Sequence, residues 1–246
     1  MDKRKIYFAS DFHLGSPSLE ASHKREKLII SWLNQIEKDA KAIYLVGDIF
    51  DFWFEYKKVI PKGFVRLLGK LASLSDNGIQ IHIFPGNHDL WISKYLEKEV
   101  GIIIHNHLEI IEENGKKICI SHGDGLGNGD YIYKFIRQIF NSKICQWLFS
   151  TLHPNLAFTI AHTWSKRSKR KQDSAFISNE KEILYNYCKK KQKTNAIDYY
   201  IFGHRHIPLE IKIDKRSKYI NLGDWITHNT YAVLENGIIQ LESYKE

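Results

Sequence analysis

Several features that mark other protein classes are scarce in this 246-residue chain. Its three cysteines, Cys119, Cys145 and Cys188, are far apart and form no C-x-x-C pair. Their spacing argues against a disulfide framework and a thiolate zinc site, and it is compatible with a reducing cytoplasm. The first residues lead directly into an apolar strand, without the h-region and cleavage site of a signal peptide. We therefore expect a cytoplasmic protein whose mature chain starts here.

Long apolar runs are also missing. Residues 144–165 contain no Asp, Glu, Lys or Arg, but they include Gln146, His153, Pro154, Asn155 and His162. A membrane span needs a nearly unbroken apolar stretch of about 20 residues, so we expect a buried or interfacial helical hairpin instead. The basic run 166–171 follows at once, as in a membrane-facing lid with an anchor for anionic headgroups. The alternative is that residues 144–165 pack against the sheets as ordinary core.

Acidic residues are outnumbered, 28 against 36 Lys and Arg, which gives a net charge of +8. The excess is concentrated in residues 166–171 and 189–193, so the positive field is uneven. An anionic partner fits this charge, whether a phosphorylated substrate, a lipid surface or a nucleic acid. Solvated helix faces would give the same pattern, and charge alone does not choose among these.

The first third of the chain alternates strands and helices. Residues 5–11 and 42–48 read as buried strands, and residues 80–84 as a third. Residues 22–38 and 64–74 have apolar side chains at helical spacing, the second stretch ending at Asn77-Gly78. This β-α-β-α-β order predicts a mainly parallel sheet, with polar groups at the carboxyl ends of its strands.

The second half is richer in antiparallel signals. Asn114-Gly115 and Asn236-Gly237 each predict a hairpin, and residues 199–202 and 209–213 read as further strands. Residues from about 126 to 193 have little strand character and many apolar positions at helical intervals. We predict an α/β (mixed α+β) fold, in which residues 1–246 form one domain of two packed sheets with helices outside and a helical lid insertion.

Five short polar blocks each follow a predicted strand: Asp11-Phe-His13, Gly47-Asp48-x-x-Asp51, Gly86-Asn87-His88-Asp89, Ser121-His122-Gly-Asp124 and Gly203-His204-Arg-His206. One such histidine is more often structural than a ligand, whereas five blocks in order at strand ends indicate a metal site. Mixed carboxylate, imidazole and amide ligands favour Mn, Fe or Zn. Two metals need a bridging ligand, and Asp48, on the clearest strand, is the candidate.

These blocks resemble the signature of the calcineurin-like binuclear metallophosphoesterases. The resemblance implies a four-layer αββα sandwich of two mixed sheets between helices, and two divalent ions, with Mn²⁺ the first choice. By that likeness Asp11, His13 and His206 hold one metal and Asn87, His122 and His204 the other, with Asp48 bridging. His88 would contact the substrate phosphate or act as general acid. We expect Asp51 and Asp124 to orient histidines, although Asp51 could instead cap a turn.

Within that group the chain is similar to the UDP-2,3-diacylglucosamine diphosphatases of lipid A synthesis. The further likeness lies in residues 121–124, 160–161 and 219–225 and in Asp130, Tyr133 and Ser168. It implies a lid that shelters acyl chains, and it implies that Asp130, Tyr133, Ser168, Lys169 and Lys171 bind the glucosamine-phosphate portion. Several members of that family carry Arg where this chain has His88. Arg suits a pyrophosphate, whose leaving group scarcely needs a proton, while His can supply one.

The resemblance implies hydrolysis of UDP-2,3-diacylglucosamine to UMP and 2,3-diacylglucosamine 1-phosphate at the inner face of the cytoplasmic membrane, without an obligate protein partner. One alternative is a metal-dependent nuclease or nucleotide phosphodiesterase, which the basic runs would suit. The other is a non-catalytic interaction module that docks through the insertion. Such a module would be expected to have lost metal ligands, whereas all seven are present here.

Overall fold

The computed structural model describes residues 4–128, 131–161, 163 and 176–245. The first sheet has the strand order β11-β10-β1-β2-β3-β4. Strands β1 to β4 are parallel, and β10 and β11 add an antiparallel edge beside β1. Its strands are β1 (Lys5–Ala9), β2 (Ala40–Leu45), β3 (Gln80–Ile83), β4 (Ile103–Ile104), β10 (Thr230–Glu235) and β11 (Ile238–Ser243).

The second sheet is also mixed, with the order β5-β6-β7-β9-β8. Strands β6, β7 and β9 are parallel, while β5 and β8 pair antiparallel at the two edges. Its strands are β5 (Glu109–Glu113), β6 (Lys116–Ile120), β7 (Tyr199–Phe202), β8 (Pro208–Lys212) and β9 (Lys218–Leu222). The prediction of two mixed sheets is therefore confirmed.

The helices lie outside the two sheets. They are α1 (Leu19–Ile36), α2 (Val65–Asp76), α3 (Lys94–Val100), α4 (Tyr131–Asn141), α5 (Lys143–Ser150), a segment α6 described over residues 154–161, and α7 (Ile183–Gln192), with a 3₁₀ turn at Asn179–Lys181. Sequence periodicity missed the short helix α3 and the strands β4 and β9. Helix α1 begins three residues earlier than predicted because the side chain of Ser18 accepts from the N–H of Ala21 and caps the helix.

Three apolar clusters define the layers. Side chains of β1 and β2 meet those of β6, β7 and β9 between the sheets, as Phe8 and Ile201 illustrate. Helices α1 and α2 cover the other face of the first sheet, with Trp32 fully buried. Leu184 and Cys188 of α7 cover the other face of the second sheet. The order helix, sheet, sheet, helix is the αββα sandwich that was predicted.

Both predicted hairpins form at their Asn-Gly pairs. Asn114 and Gly115 have φ values of 52° and 70°, and Asn236 and Gly237 have values of 52° and 77°. Two successive positive φ angles match the right-handed twist of a hairpin, and Asn and Gly tolerate them best. These local signals therefore predicted two antiparallel strand pairs correctly.

Candidate metal centre and active site

The parallel strands bring the five polar blocks to one edge of the sandwich. Asp11 and Asp48 follow β1 and β2 of the first sheet, and His88 follows β3. His122 and His204 follow β6 and β7 of the second sheet. Because parallel strands end at the same side, the ligands from both sheets meet over the interface between them.

One cluster contains Asp11, His13, Asp48 and His206, all buried, with ligand atoms within 4.8 Å of one another. Nε2 of His13 lies 3.0 Å from Nε2 of His206. Nε2 of His206 lies 3.2 Å from Oδ1 of Asp11. Two imidazoles and two carboxylates converging on one point form a set that a divalent transition metal accepts.

A second cluster contains Asp48, His122 and His204. Nε2 of His122 lies 3.4 Å from Oδ2 of Asp48 and 3.3 Å from Oδ1 of Asn87. The other ring nitrogen, Nδ1, donates to the carbonyl of Val46 at 2.9 Å. A carbonyl can only accept, so this bond places the proton on Nδ1 and leaves Nε2 as the ligand atom.

Asp48 belongs to both clusters. Its Oδ1 accepts from the backbone N–H of His88 at 2.8 Å, while Oδ2 lies 3.6 Å from Nε2 of His13 and 3.4 Å from Nε2 of His122. Oδ2 of Asp48 and Oδ1 of Asp11 are buried and accept no hydrogen bond within the part of the chain that is described. Buried carboxylate oxygens of this kind fit metal ligands, and the donor set therefore suits two divalent ions that share Asp48.

The charges of the site depend on each other. Burial opposes the ionisation of Asp48, but His122 and His88 outweigh it and hold the pKa of Asp48 well below its usual range. Burial lowers the pKa of His122, yet the Asp48 carboxylate raises it overall. Burial and the neighbouring His122 together lower the pKa of His204 to about 4. A protonated His122 therefore balances the Asp48 carboxylate, and a bound metal ion would replace the proton on Nε2 of His122.

The backbone at five of the seven predicted ligands is left-handed. Positive φ angles of 44° to 69° occur at Asp11, His13, Asp48, His204 and His206. Asp and His adopt this region more readily than most residues, although each such position stores strain. Hydrogen bonds across the loops hold them: the N–H groups of Asp11 and His13 donate to the carbonyls of Gly47 and Asp48, respectively.

Two glycines of the polar blocks are required by close packing. A Cβ atom on Gly86 would lie 2.2 Å from Oδ1 of Asp48, and one on Gly203 would lie 2.5 Å from Oδ2 of Asp11. Neither distance is possible for a real side chain. These glycines therefore let the backbone approach the two carboxylates directly.

Asp89 and Arg25 support the predicted metal ligands, although sequence patterns assigned a role to neither of them. The fully buried carboxylate of Asp89 accepts from the backbone N–H groups of Gly86, Asp48, Ile49 and Phe50 at 2.7 to 3.3 Å. Burial and the charge of Asp48 raise the pKa of Asp89 to about 7. Arg25, only 7% exposed, donates to the carbonyls of His13 and Ser16. Both residues thus position loops that carry ligands.

Asp51 and Asp124 differ in their contacts. Oδ1 of Asp51 lies 3.6 Å from Nδ1 of His13, as expected for a residue that orients a histidine. Asp124 was expected to do the same, but its carboxylate instead accepts from the hydroxyl of Tyr133 and lies 3.2 Å from Nε of Arg137. The expectation for Asp124 is therefore corrected: it ties helix α4 to the His122 loop. A sequence pattern could not show this contact, because it joins a loop residue to the side chains of a separate helix, α4.

Tyr133 is the one predicted substrate contact that the structure describes, and it lies 11 residues after His122 in the chain. Its pKa is raised by burial and by the neighbouring Asp124, so its hydroxyl stays a hydrogen-bond donor. The other predicted substrate contacts lie outside the described residues: Asp130, Ser168, Lys169 and Lys171.

The helical insertion meets the body through aromatic side chains. Phe149 of α5 lies 4.9 Å from Phe54 and 4.7 Å from Trp91, measured between ring centroids. Phe158 of α6 lies 5.1 Å from Phe52. The three body residues come from the loops after β2 and β3, which also carry Asp48 and His88. The insertion is therefore placed beside the metal centre, as an apolar wall.

Replacing Asp48 with Asn should lower the content of both metals, because the carboxylate is shared. His13→Ala and His122→Ala should each lower mainly one, since each histidine belongs to a single cluster. Metal content per molecule, measured by inductively coupled plasma mass spectrometry after reconstitution with Mn²⁺, checks this. Asp76→Asn, at an exposed position, is the control and should keep both metals. Retention of one full equivalent in the Asp48 variant would contradict the shared role.

Comparison with known proteins shows the family of the chain. The calcineurin-like phosphoesterase model matches residues 4–208, a span that includes all seven predicted ligands. A UDP-2,3-diacylglucosamine hydrolase of Porphyromonas gingivalis is 36% identical and covers 99% of both chains. One from Actinobacillus succinogenes is 28% identical over 94% of this chain and 95% of that protein. A phosphoesterase structure from E. coli aligns at a TM-score of 0.47 and 13% identity, over 97% of this chain and 92% of that one. The family match and the full-length relative show that the chain belongs to the calcineurin-like phosphoesterases.

Proposed function

We propose that this protein hydrolyses the pyrophosphate bond of UDP-2,3-diacylglucosamine, giving UMP and 2,3-diacylglucosamine 1-phosphate. The observation that carries the proposal is the combination of the two clusters sharing Asp48 with an apolar wall beside them. A nucleotide sugar with two acyl chains presents a pyrophosphate to the first feature and hydrocarbon to the second. The full-length relatives are named as hydrolases of this compound.

Two divalent ions, when bound, supply the Lewis acidity and the activated water that phosphoester hydrolysis uses. We take Mn²⁺ as the first candidate, with Fe and Zn as alternatives, because carboxylate, imidazole and amide ligands suit these ions. Asp11, His13 and His206 would hold one ion and Asn87, His122 and His204 the other, with Asp48 shared by both.

His88 is assigned to a phosphoryl oxygen of the substrate. Its Nδ1 donates to the carbonyl of Asp51 at 3.2 Å, and its ring lies 4.8 Å from that of His13 at an angle of 86°. This fixes the imidazole beside the metal centre. The departing sugar phosphate is a weak base that scarcely needs a proton. With Nδ1–H on the carbonyl of Asp51, Nε2 contacts developing negative charge as the N–H of an imidazolium, so His88 acts as a cation rather than as an acid.

Helices α4 to α6 form the lid of the proposed acyl-chain site. One side of the insertion contacts the body through Phe149 and Phe158. Large apolar side chains remain exposed on it, including Ile132 at 77%, Ile144 at 70% and Trp147 at 65%. Their exposure does not fit the alternative that residues 144–165 are ordinary core. A surface of this kind suits contact with the lipid on which the substrate resides.

The protein would then act at the inner face of the cytoplasmic membrane as a peripheral enzyme. No helix in the described part of the chain is long and apolar enough to cross a membrane. Exposed Trp, Ile and Leu side chains on amphipathic helices bind at an interface instead. A lipid substrate could then enter the site without leaving the bilayer completely.

Purified protein reconstituted with Mn²⁺ should release UMP from UDP-2,3-diacylglucosamine in detergent micelles. The reaction is followed by chromatography of the nucleotide, with bis-p-nitrophenyl phosphate and single-stranded DNA assayed in parallel. Faster cleavage of DNA than of the lipid nucleotide would favour the nuclease alternative instead. A protein that binds Mn²⁺ and cleaves none of the three would refute the proposal.

His88→Ala should lower kcat on the lipid nucleotide by about 10²–10³-fold, as expected for the loss of one donor to transition-state charge. Metal content should not change, because His88 lies outside the two clusters that share Asp48, although it forms a third group with His13 and Asp51. His88→Arg should keep most of the activity, because a guanidinium also contacts phosphoryl oxygens. The exposed His107→Ala is the control for loss of a histidine. Complete loss in His88→Arg would indicate that proton donation matters and would argue for a substrate with a poorer leaving group.

Phe149→Ala should reduce kcat/KM for the lipid nucleotide about tenfold or more, while changing hydrolysis of bis-p-nitrophenyl phosphate less than twofold. Removal of a ring that contacts Phe54 and Trp91 loosens the lid. The small substrate has no acyl chain to shelter. Gln138→Ala, on the exposed face of α4, is the control. Equal losses on both substrates would contradict the lid role.

A further inference from the structure

Exposed apolar and basic side chains occur together at the N-terminal end of α2 and in the loop before it, and α1 adds Leu19, which stands beside the acidic Glu20. Val65 is 74% exposed, Leu19 is 69% exposed and Val59 is 50% exposed. Exposed basic residues lie between and beside them in the chain. We call this surface the mouth rim, and its members are Leu19, Lys57, Lys58, Val59, Lys62, Val65 and Arg66.

The mouth rim lies beside the candidate metal centre. In the sequence it is separate from the helical insertion. Helices α1 and α2 follow β1 and β2, so their N-termini are at the edge of the sheet that carries the ligands. The carboxylate of Glu26 in α1 accepts from the N–H groups of Arg66 and Leu67 at 3.1 Å, which holds the two helices side by side. The ring of Phe64 packs 4.9 Å from that of Phe50 and approaches Gly15, two residues after His13.

The fold does not account for the composition of this rim. The N-cap of α2, Phe64, is left-handed and makes no capping bond through its side chain, and the first turn of α2 contains no acidic residue. Basic residues near a helix N-terminus are unfavourable, because that end already carries partial positive charge. Arg66 is partly compensated, since its Nη1 lies 3.7 Å from Glu26. Glu26 therefore caps α2 and partly neutralises Arg66, whereas the exposed loop residues Lys57, Lys58, Val59 and Lys62 take no part in this cap.

We propose that the mouth rim is a membrane-docking element that inserts its aliphatic side chains into an anionic bilayer surface. The basic residues would meet lipid phosphates, and Leu19, Val59 and Val65 would enter the headgroup boundary, which is the composition such elements have. A nucleic acid would use the charges but leave the aliphatic side chains in water, so the bilayer is the better match. The inference rests on the lipid substrate of the proposed function, and it assigns an orientation: the active-site mouth faces the membrane, with the rim as a contact additional to the lid.

Charge reversal tests the basic part of the rim. In Lys57→Glu/Lys58→Glu/Lys62→Glu, co-sedimentation with vesicles of 70% phosphatidylcholine and 30% phosphatidylglycerol should fall about tenfold or more. Lys189→Glu/Lys190→Glu/Lys193→Glu makes the same change in net charge at the C-terminal end of α7, away from the ligand edge, and should retain most binding. Hydrolysis of bis-p-nitrophenyl phosphate should be unchanged in both. Equal loss of vesicle binding in the two variants would overturn the proposal.

The insertion of Val59 into the bilayer tests the apolar part of the mouth rim. Val59→Cys is labelled with an environment-sensitive NBD group in a Cys145→Ser background, where the remaining cysteines, Cys119 and Cys188, are buried. The fluorescence emission of the NBD group at position 59 should shift to the blue when the anionic vesicles are added. Ile238→Cys, an exposed aliphatic position at the opposite end of the first sheet, should not shift. No shift at position 59, an equal shift at both positions, or a larger response to duplex DNA than to vesicles would refute the inference. UMP release in micelles is measured separately, so failure of docking and failure of the proposed activity are distinguishable.

Discussion

The buried carboxylate of Asp48 is the constraint on which the rest of the site depends. It is fully buried, and an isolated buried ion costs several kcal/mol. The loops from both sheets therefore have to bring cationic or polarisable groups to it, which they do through His13 and His122. Bound divalent ions would take over this role, and the proton on Nε2 of His122 would then leave. Sheet packing, ligand placement and metal binding are thus parts of one electrostatic arrangement.

A second carboxylate makes that arrangement rigid. Asp89 packs against the Asp48 loop, where burial and the charge of Asp48 raise the pKa of Asp89 to about 7. Four backbone N–H groups offset this unfavourable environment. They also lock the left-handed turn at Asp48, since a strained backbone costs about 1–3 kcal/mol and persists only where its surroundings hold it. The strain and the buried acid thus stabilise each other, and this holds Asp48 in the orientation that both clusters need.

The sequence predicted the parts of this structure that depend on local chemistry. The two Asn-Gly hairpins, the first three parallel strands and the convergence of the five polar blocks all follow from short-range patterns. The supporting contacts do not. The side chain of Arg25, in the next helix, donates to the carbonyl of His13. The carboxylate of Glu182 accepts from Arg205, which lies 23 residues later in the chain, between two predicted ligands. Asp124 shows the same limit, because its position after His122 suggested a histidine partner whereas folding gave it Tyr133 and Arg137. Side-chain partners across elements depend on packing, which periodicity does not encode.

The distribution of exposed apolar residues extends this reasoning from the site to its surroundings. Large aliphatic and aromatic side chains in water are expected singly on any soluble protein, but here they occur on both the helical insertion and the mouth rim. Both elements follow strands whose ends carry predicted metal ligands. An apolar opening to a metal centre that uses water for hydrolysis is unfavourable in contact with solvent, unless a lipid occupies it. Polar chemistry at the base and apolar surface around the entrance are compatible when the substrate itself has a charged end and a hydrocarbon end.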